Sequence, residues 1–195
     1  MKKRKLIHPR KVVWAMRDFV NEIHELNYTA SIVLPIDGES VDDFMERWVH
    51  DIQEVKEKAS VKLVKAHGFC AYEWDGDSEF FKIGYNFDTL WCKGSRQFSQ
   101  DFFSRCPMGR GFASVTLAIL HELGHFHSQQ NFEGYDRELV LEEIRKNLAP
   151  QFINFAYFKL PDEKSATDWA IEWLQNPENR KIAKQFEKKF FECFE

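Results

Sequence analysis

Apolar residues recur along this chain at two periods, and each period marks a different kind of element. Between residues 10 and 26, Val12, Met16, Phe19, Ile23 and Leu26 return at steps of four and three, which is the spacing of one helix face. The run YTASIVLP (28–35) reads as a strand, closed by Pro35 and the turn signal Asp37-Gly38. Ser40, with Asp43 three positions on, resembles a capping box. It opens a second amphipathic helix with the stripe Val41, Phe44, Trp48, Ile52 and Val55. Residues 69–87 predict a β-hairpin around Asp75-Gly76, with Phe81, Ile83 and Tyr85 alternating onto one face of the second arm. Residues 88–109 carry no clear period. Helices are then predicted over about 112–127, over 136–148 with a stop near Pro150, and from 161 to about 175. A last one follows Pro177, with Ile182, Phe186, Phe190 and Phe194 at steps of four. Few strands followed by many helices predict an α+β fold. No repeat or linker interrupts the pattern, so one domain is expected over 1–195, with an N-terminal helix-and-strand portion (1–60), a core (69–175) and a C-terminal helix (177–195).

Composition narrows the choice of partners. The chain is 44% hydrophobic and 30% charged, an ordinary balance for a globular protein. Nineteen Phe and six Trp predict a core built on rings. A net charge of −4 gives no basic face, so no nucleic acid is expected as a direct partner. Lys2, Lys3, Arg4 and Lys5 read as a solvated tail, and no apolar stretch of the kind found in a secretion signal follows them. No apolar run approaches the length of a membrane span, so a cytoplasmic location and no membrane partner are expected. Cys70, Cys92, Cys106 and Cys193 form no C-x-x-C pair and read as reduced structural thiols.

The helix predicted over 112–127 differs from the others. It is apolar almost all round, through Phe112, Val115, Ala118, Ile119, Leu120 and Leu123, and should be central and buried. Yet its segment LAILHELGHFHS carries His121, Glu122, His125 and His127. Buried polar groups without partners cost on the order of 1–3 kcal/mol each, so this helix needs something to satisfy them. His121 and His125 are one turn apart and about 40° apart in direction, so both imidazoles reach one ion from the same side. Glu122 lies about 100° round from His121, where it cannot ligate comfortably but can touch a water on the ion. These are the parts of an H-E-x-x-H metal site: two nitrogen ligands and a general base beside a water acidified by zinc. His127 lies about 240° round from His121 and reads as an exposed or capping residue.

Two histidines do not complete a zinc site, and a third protein ligand is required. No histidine follows His127. The remaining candidates are Glu163, then Glu143 or Glu142, then Asp136 and Asp168, or His67 upstream. Glu163 is favoured because EKSATDWA (163–170) places Glu163, Ala166 and Ala170 on one helix face, where small residues permit close approach to the histidine helix.

With HELGH followed by a later helix of the form E-x-x-A-x-x-aromatic-A, residues 80–175 resemble the ImmA/IrrE-type zinc metallopeptidases. The resemblance implies a zincin-like fold, with a small mixed or antiparallel sheet packed against the central HExxH helix. It implies Zn2+ held by His121, His125 and Glu163, with Glu122 as the base that assists attack of zinc-bound water on a peptide bond. A protein or peptide substrate follows, with a regulatory repressor as the candidate. IGYN (83–86) resembles that family's edge strand, so the arm 79–86 is a candidate for binding substrate backbone. Tyr85, Tyr135 and Tyr157 are candidate oxyanion donors. The alternative is a catalytically silent, metal-stabilised module for regulation or protein interaction. Oligomeric state is not legible.

Overall fold

The apolar spacing near the N-terminus becomes helix α1 (Pro9–His24), with Val12, Ala15, Met16, Phe19 and Val20 buried along one side and Trp14 exposed on the other. This is seen in a computed structural model that describes residues 8–24, 31–33, 68–74, 79–85, 93–128 and 135–194. Three short strands follow α1: β1 (Ser31–Val33), β2 (Gly68–Trp74) and β3 (Glu79–Tyr85). Helix α2 (Lys93–Arg105) and a 3-10 turn (Pro107–Gly111) lead into α3 (Ser114–His127). The chain ends with α4 (Arg137–Asn147), α5 (Pro150–Tyr157), α6 (Pro161–Gln175) and α7 (Pro177–Phe191).

Helix α3 runs through the middle of the core. Val115, Leu117, Ile119, Leu120 and Leu123 are wholly buried, as an all-apolar helix requires. Its N-terminus is held by a residue distant in sequence. Glu187 of α7 accepts hydrogen bonds from the Ala113 backbone N–H and from the Thr116 hydroxyl, the latter at 2.9 Å. A carboxylate is favoured there by the helix dipole and by the unpaired N–H groups of the first turn. Helices α1 and α7 pack together through Phe19 and Phe186, stacked at 4.4 Å, and Phe19 also meets the edge of Trp173 on α6.

The α+β, zincin-like expectation is corrected by this architecture, which is predominantly helical. Every buried apolar side chain described lies on a helix, on a turn joining helices or just past the last helix, so helix-on-helix packing dominates the described core. Element order alone misled, because it gave a three-residue strand the same weight as a fifteen-residue helix with a full apolar face. A second correction concerns the arm 79–86. The strand order is β1-β3-β2, with β3 parallel to β1 and antiparallel to β2. Ile83 and Gly84 therefore face a partner residue on each side, and the arm expected to offer a free edge to substrate is the middle strand.

Two helices lie where none is predicted. Residues 93–105 form α2, and Pro150 opens α5 rather than ending the structure there. The helix expected from Ser40, the turns at Asp37-Gly38 and Asp75-Gly76, His67 and the basic start lie outside the described residues. Among the described residues, no helix is long and apolar enough to cross a membrane, and Cys106 and Cys193 are buried free thiols.

Candidate metal centre

Helix α6 buries Glu163, Ala166, Thr167, Ala170 and Leu174 on one face, and this face lies against α3. The closeness of the two helices explains the glycine of HELGH. A Cβ on Gly124 would stand 2.2 Å from the carbonyl oxygen of Ala166, well inside contact distance. Glycine on one helix and alanine on the other thus bring the first turn of α6 up to the histidines.

His121, His125 and Glu163 meet at this crossing. One ligand atom from each lies within 4.8 Å of the others, and the group can hold a metal ion. Glu163 Oε2 stands 2.9 Å from His121 Nε2 and 3.5 Å from His125 Nε2. Tetrahedral zinc with bonds of about 2.05 Å needs ligand atoms about 3.3 Å apart, a value these distances bracket. The side chains of His121 and Glu163 are 5% and 2% exposed, while His125 is 24% exposed. The open side of the group is therefore at His125.

Thr167 and Glu163 hold the two ring nitrogens of His121. The Thr167 hydroxyl gives its one proton to the Glu163 backbone carbonyl at 2.9 Å. With the proton there, it accepts from His121 Nδ1–H, 3.1 Å away. In a neutral imidazole Nε2 is then a bare acceptor, yet it faces the carboxylate oxygen of Glu163 at 2.9 Å. A metal ion joins two such acceptors, whereas in the other tautomer Nε2–H donates to Glu163 directly. A ring nitrogen tied by one hydrogen bond and leaving the other to the ion is the usual arrangement of a ligating histidine.

Electrostatics follow from the same crowding. Burial pushes the Glu163 carboxyl up, but the hydrogen bonds and charges of His121 and His125 outweigh it and hold the group well below the usual carboxylate range. For His125, burial acts downward, while the hydrogen bond and charge of Glu163, aided by Glu122, leave it raised. Burial also raises Glu122, against the lowering charges of His121, His125 and Arg137. A carboxylate raised toward neutrality is a better proton acceptor at working pH than an exposed one.

The other expected residues separate clearly. Glu142 is exposed and pairs with Lys146, and Glu143 is exposed beside it. Both line a groove on α4, together with Leu139 and Leu148, that none of the three clustered residues lines. The Asp136 side chain caps α4 by accepting from Leu139 N–H, and Asp168 pairs with Arg105 and Lys164. His127 is exposed and its ring stacks on Trp169 at 4.4 Å. The Tyr135 hydroxyl donates to Asp162 at 2.8 Å. Tyr157 accepts from Arg137 at 2.9 Å, and burial, then the charge of Glu163, push its phenol up. Tyr85 belongs to β3, and its side chain is outside those described.

Two residues at the site have no sequence signature. Thr167 was hidden inside the E-x-x-A helix, where a Thr four residues after a Glu reads as an ordinary helical residue. Arg137, at the start of α4, ion-pairs with Glu163 Oε1 at 2.7 Å and also with Asp162. An arginine opposite a distant carboxylate leaves no spacing to detect. Compared with known protein families, curated proteins and solved structures, the chain matches none.

Proposed function

We propose that this protein is a zinc-dependent peptidase acting on a protein or peptide substrate. The observation that carries the reading is the convergence of His121 Nε2, His125 Nε2 and a Glu163 oxygen, with Glu122 on the same helix. Two imidazoles and one carboxylate suit zinc, and three protein ligands leave a position open for chemistry. When bound, the ion supplies Lewis-acid polarisation of water and of the substrate carbonyl. Glu122 takes the proton of the attacking water on its carboxylate and returns it to the departing amine. Its raised pKa strengthens it as the base in the first half of that transfer. Among the candidate tyrosines, Tyr157 is the one tied to the ligand set through Arg137, which donates to its hydroxyl and to Glu163, whereas Tyr135 donates to Asp162. The likeness of HELGH and the E-x-x-A helix to the ImmA/IrrE-type peptidases supports a protein substrate, with a DNA-binding repressor as the first to try.

The test is cleavage of a proteome-derived peptide library by the zinc-reconstituted protein, read by mass spectrometry. Wild type should cleave. Glu122→Gln should keep its zinc and lose at least about 100-fold in rate, the usual contribution of a general base. A wild type that holds zinc but cleaves neither the library nor repressor proteins would favour the silent, metal-stabilised module.

A further inference from the structure

We propose that Arg137 is a positioning residue that makes Glu163 a one-oxygen ligand. The inference rests on the metal reading above. The two oxygens of Glu163 face opposite ways. Oε2 faces the two histidines, while Oε1 accepts from the Arg137 guanidinium at 2.7 Å. Arg137 is itself held by two further residues. It pairs with Asp162, donates to the Tyr157 hydroxyl at 2.9 Å and lies 5.4 Å from the centre of the Tyr157 ring. Its backbone is the first residue of α4, whose start is fixed by the Asp136 cap. The guanidinium is therefore a rigid fitting, which suits the planar fork of arginine better than a lysine ammonium.

The chemical consequence concerns coordination number. A carboxylate tied at Oε1 cannot swing round to offer both oxygens, so it contributes one ligand atom and the open position survives. Without Arg137, Oε1 would be a buried acceptor deprived of its charged donor, since Glu163 is 1% exposed. It would then rotate toward the ion. The positive charge of Arg137 opposes a divalent cation, but Asp162 beside it cancels that charge at short range. Orientation is what remains, and hydrogen-bonding partners of ligands typically contribute 10–100-fold in metal affinity.

The test measures Zn2+ affinity by competition with a chromophoric chelator, and the visible absorption of the Co2+-substituted protein, for wild type, Arg137→Gln and Arg137→Lys. Circular dichroism confirms folding. Arg137→Gln should bind Zn2+ about 10–100-fold more weakly. Its Co2+ bands should lose intensity as the coordination rises above four. Arg137→Lys keeps one donor for Oε1, so it should retain the four-coordinate spectrum with an affinity between the other two. Wild-type affinity and spectrum in Arg137→Gln would overturn the assignment and leave the metal site standing. If Arg137→Gln does not fold, unchanged affinity in Arg137→Lys overturns it instead. Failure of wild type to bind either ion would remove the metal reading itself, and this inference with it.

Discussion

Thr167 bridges the Glu163 backbone carbonyl and His121 Nδ1, so one hydroxyl links the backbone of α6 to a ligand ring of α3. Protons and a metal ion compete for the ligand atoms of this group. The two states should therefore respond to pH in opposite directions. His125 is raised above its ordinary value of 6.5, so its pairing with Glu163 stabilises fully below 6.5 and is lost as pH rises through the folded value. Glu122 is raised too, so its charging costs stability from pH 4.5 upward through its folded value. Glu163 is lowered, so its contribution is present above 4.5 and is lost only as pH falls through its depressed value. Thermal melts in chelator should thus show stability falling from pH 6.5 upward. With saturating Zn2+ the stabilisation gained over the metal-free protein should grow across the same range, because ligands must shed protons to bind. Metal-free melts that rise in temperature from pH 6.5 upward would contradict this assignment of charges.

Between elements, the contact that matters most is the crossing of α3 and α6 at Gly124 and Ala166. Gly124→Ala drives a methyl group into the Ala166 backbone, and neither helix can yield without moving its ligands. We expect a loss of about 1–3 kcal/mol in denaturant unfolding. A drop in Zn2+ affinity should accompany it. Gly111→Ala is the control, since a Cβ there meets nothing within 4 Å, and it should stay within about 0.5 kcal/mol of wild type. Equal effects at the two glycines would show that the close approach is not what the glycine serves. At this scale the sequence was most legible where one face is apolar over several turns, as in α1, α3, α6 and α7. It was least legible in α2, whose KGSRQFSQDFFSR carries only three apolar residues, and in α5, where Pro150 was read as a stop. Proline at a first helical position starts a helix as readily as it ends one. The grouping was legible where its members share a helix or follow a motif, in His121, His125 and Glu163. It was not legible at Arg137, which reaches the site only through the folded arrangement of α4 and α6.

Across the whole molecule, α1 and α7 close over a core in which α3 is central, and the candidate site ties α3, α4 and α6 together through His121, Arg137 and Glu163. An ion at that junction binds only the folded chain, so it should stabilise all of it. At a free concentration near 1,000 times Kd the gain is about 4 kcal/mol. Chelator should therefore lower the melting temperature of wild type by several degrees and leave Glu163→Ala unchanged. A wild type indifferent to chelator would place the histidines among ordinary buried polar residues. The predominance of helices over sheet bears on the same question, because a site braced by three helices depends on side-chain packing rather than on a strand edge for its geometry.

The most direct measurement is zinc content by elemental mass spectrometry, on wild type, His121→Ala, Glu163→Ala and Glu143→Ala proteins after reconstitution and desalting. The account predicts near-stoichiometric zinc in wild type and in Glu143→Ala, and its loss in His121→Ala and in Glu163→Ala. Zinc retained by Glu163→Ala, or absent from wild type, would contradict it.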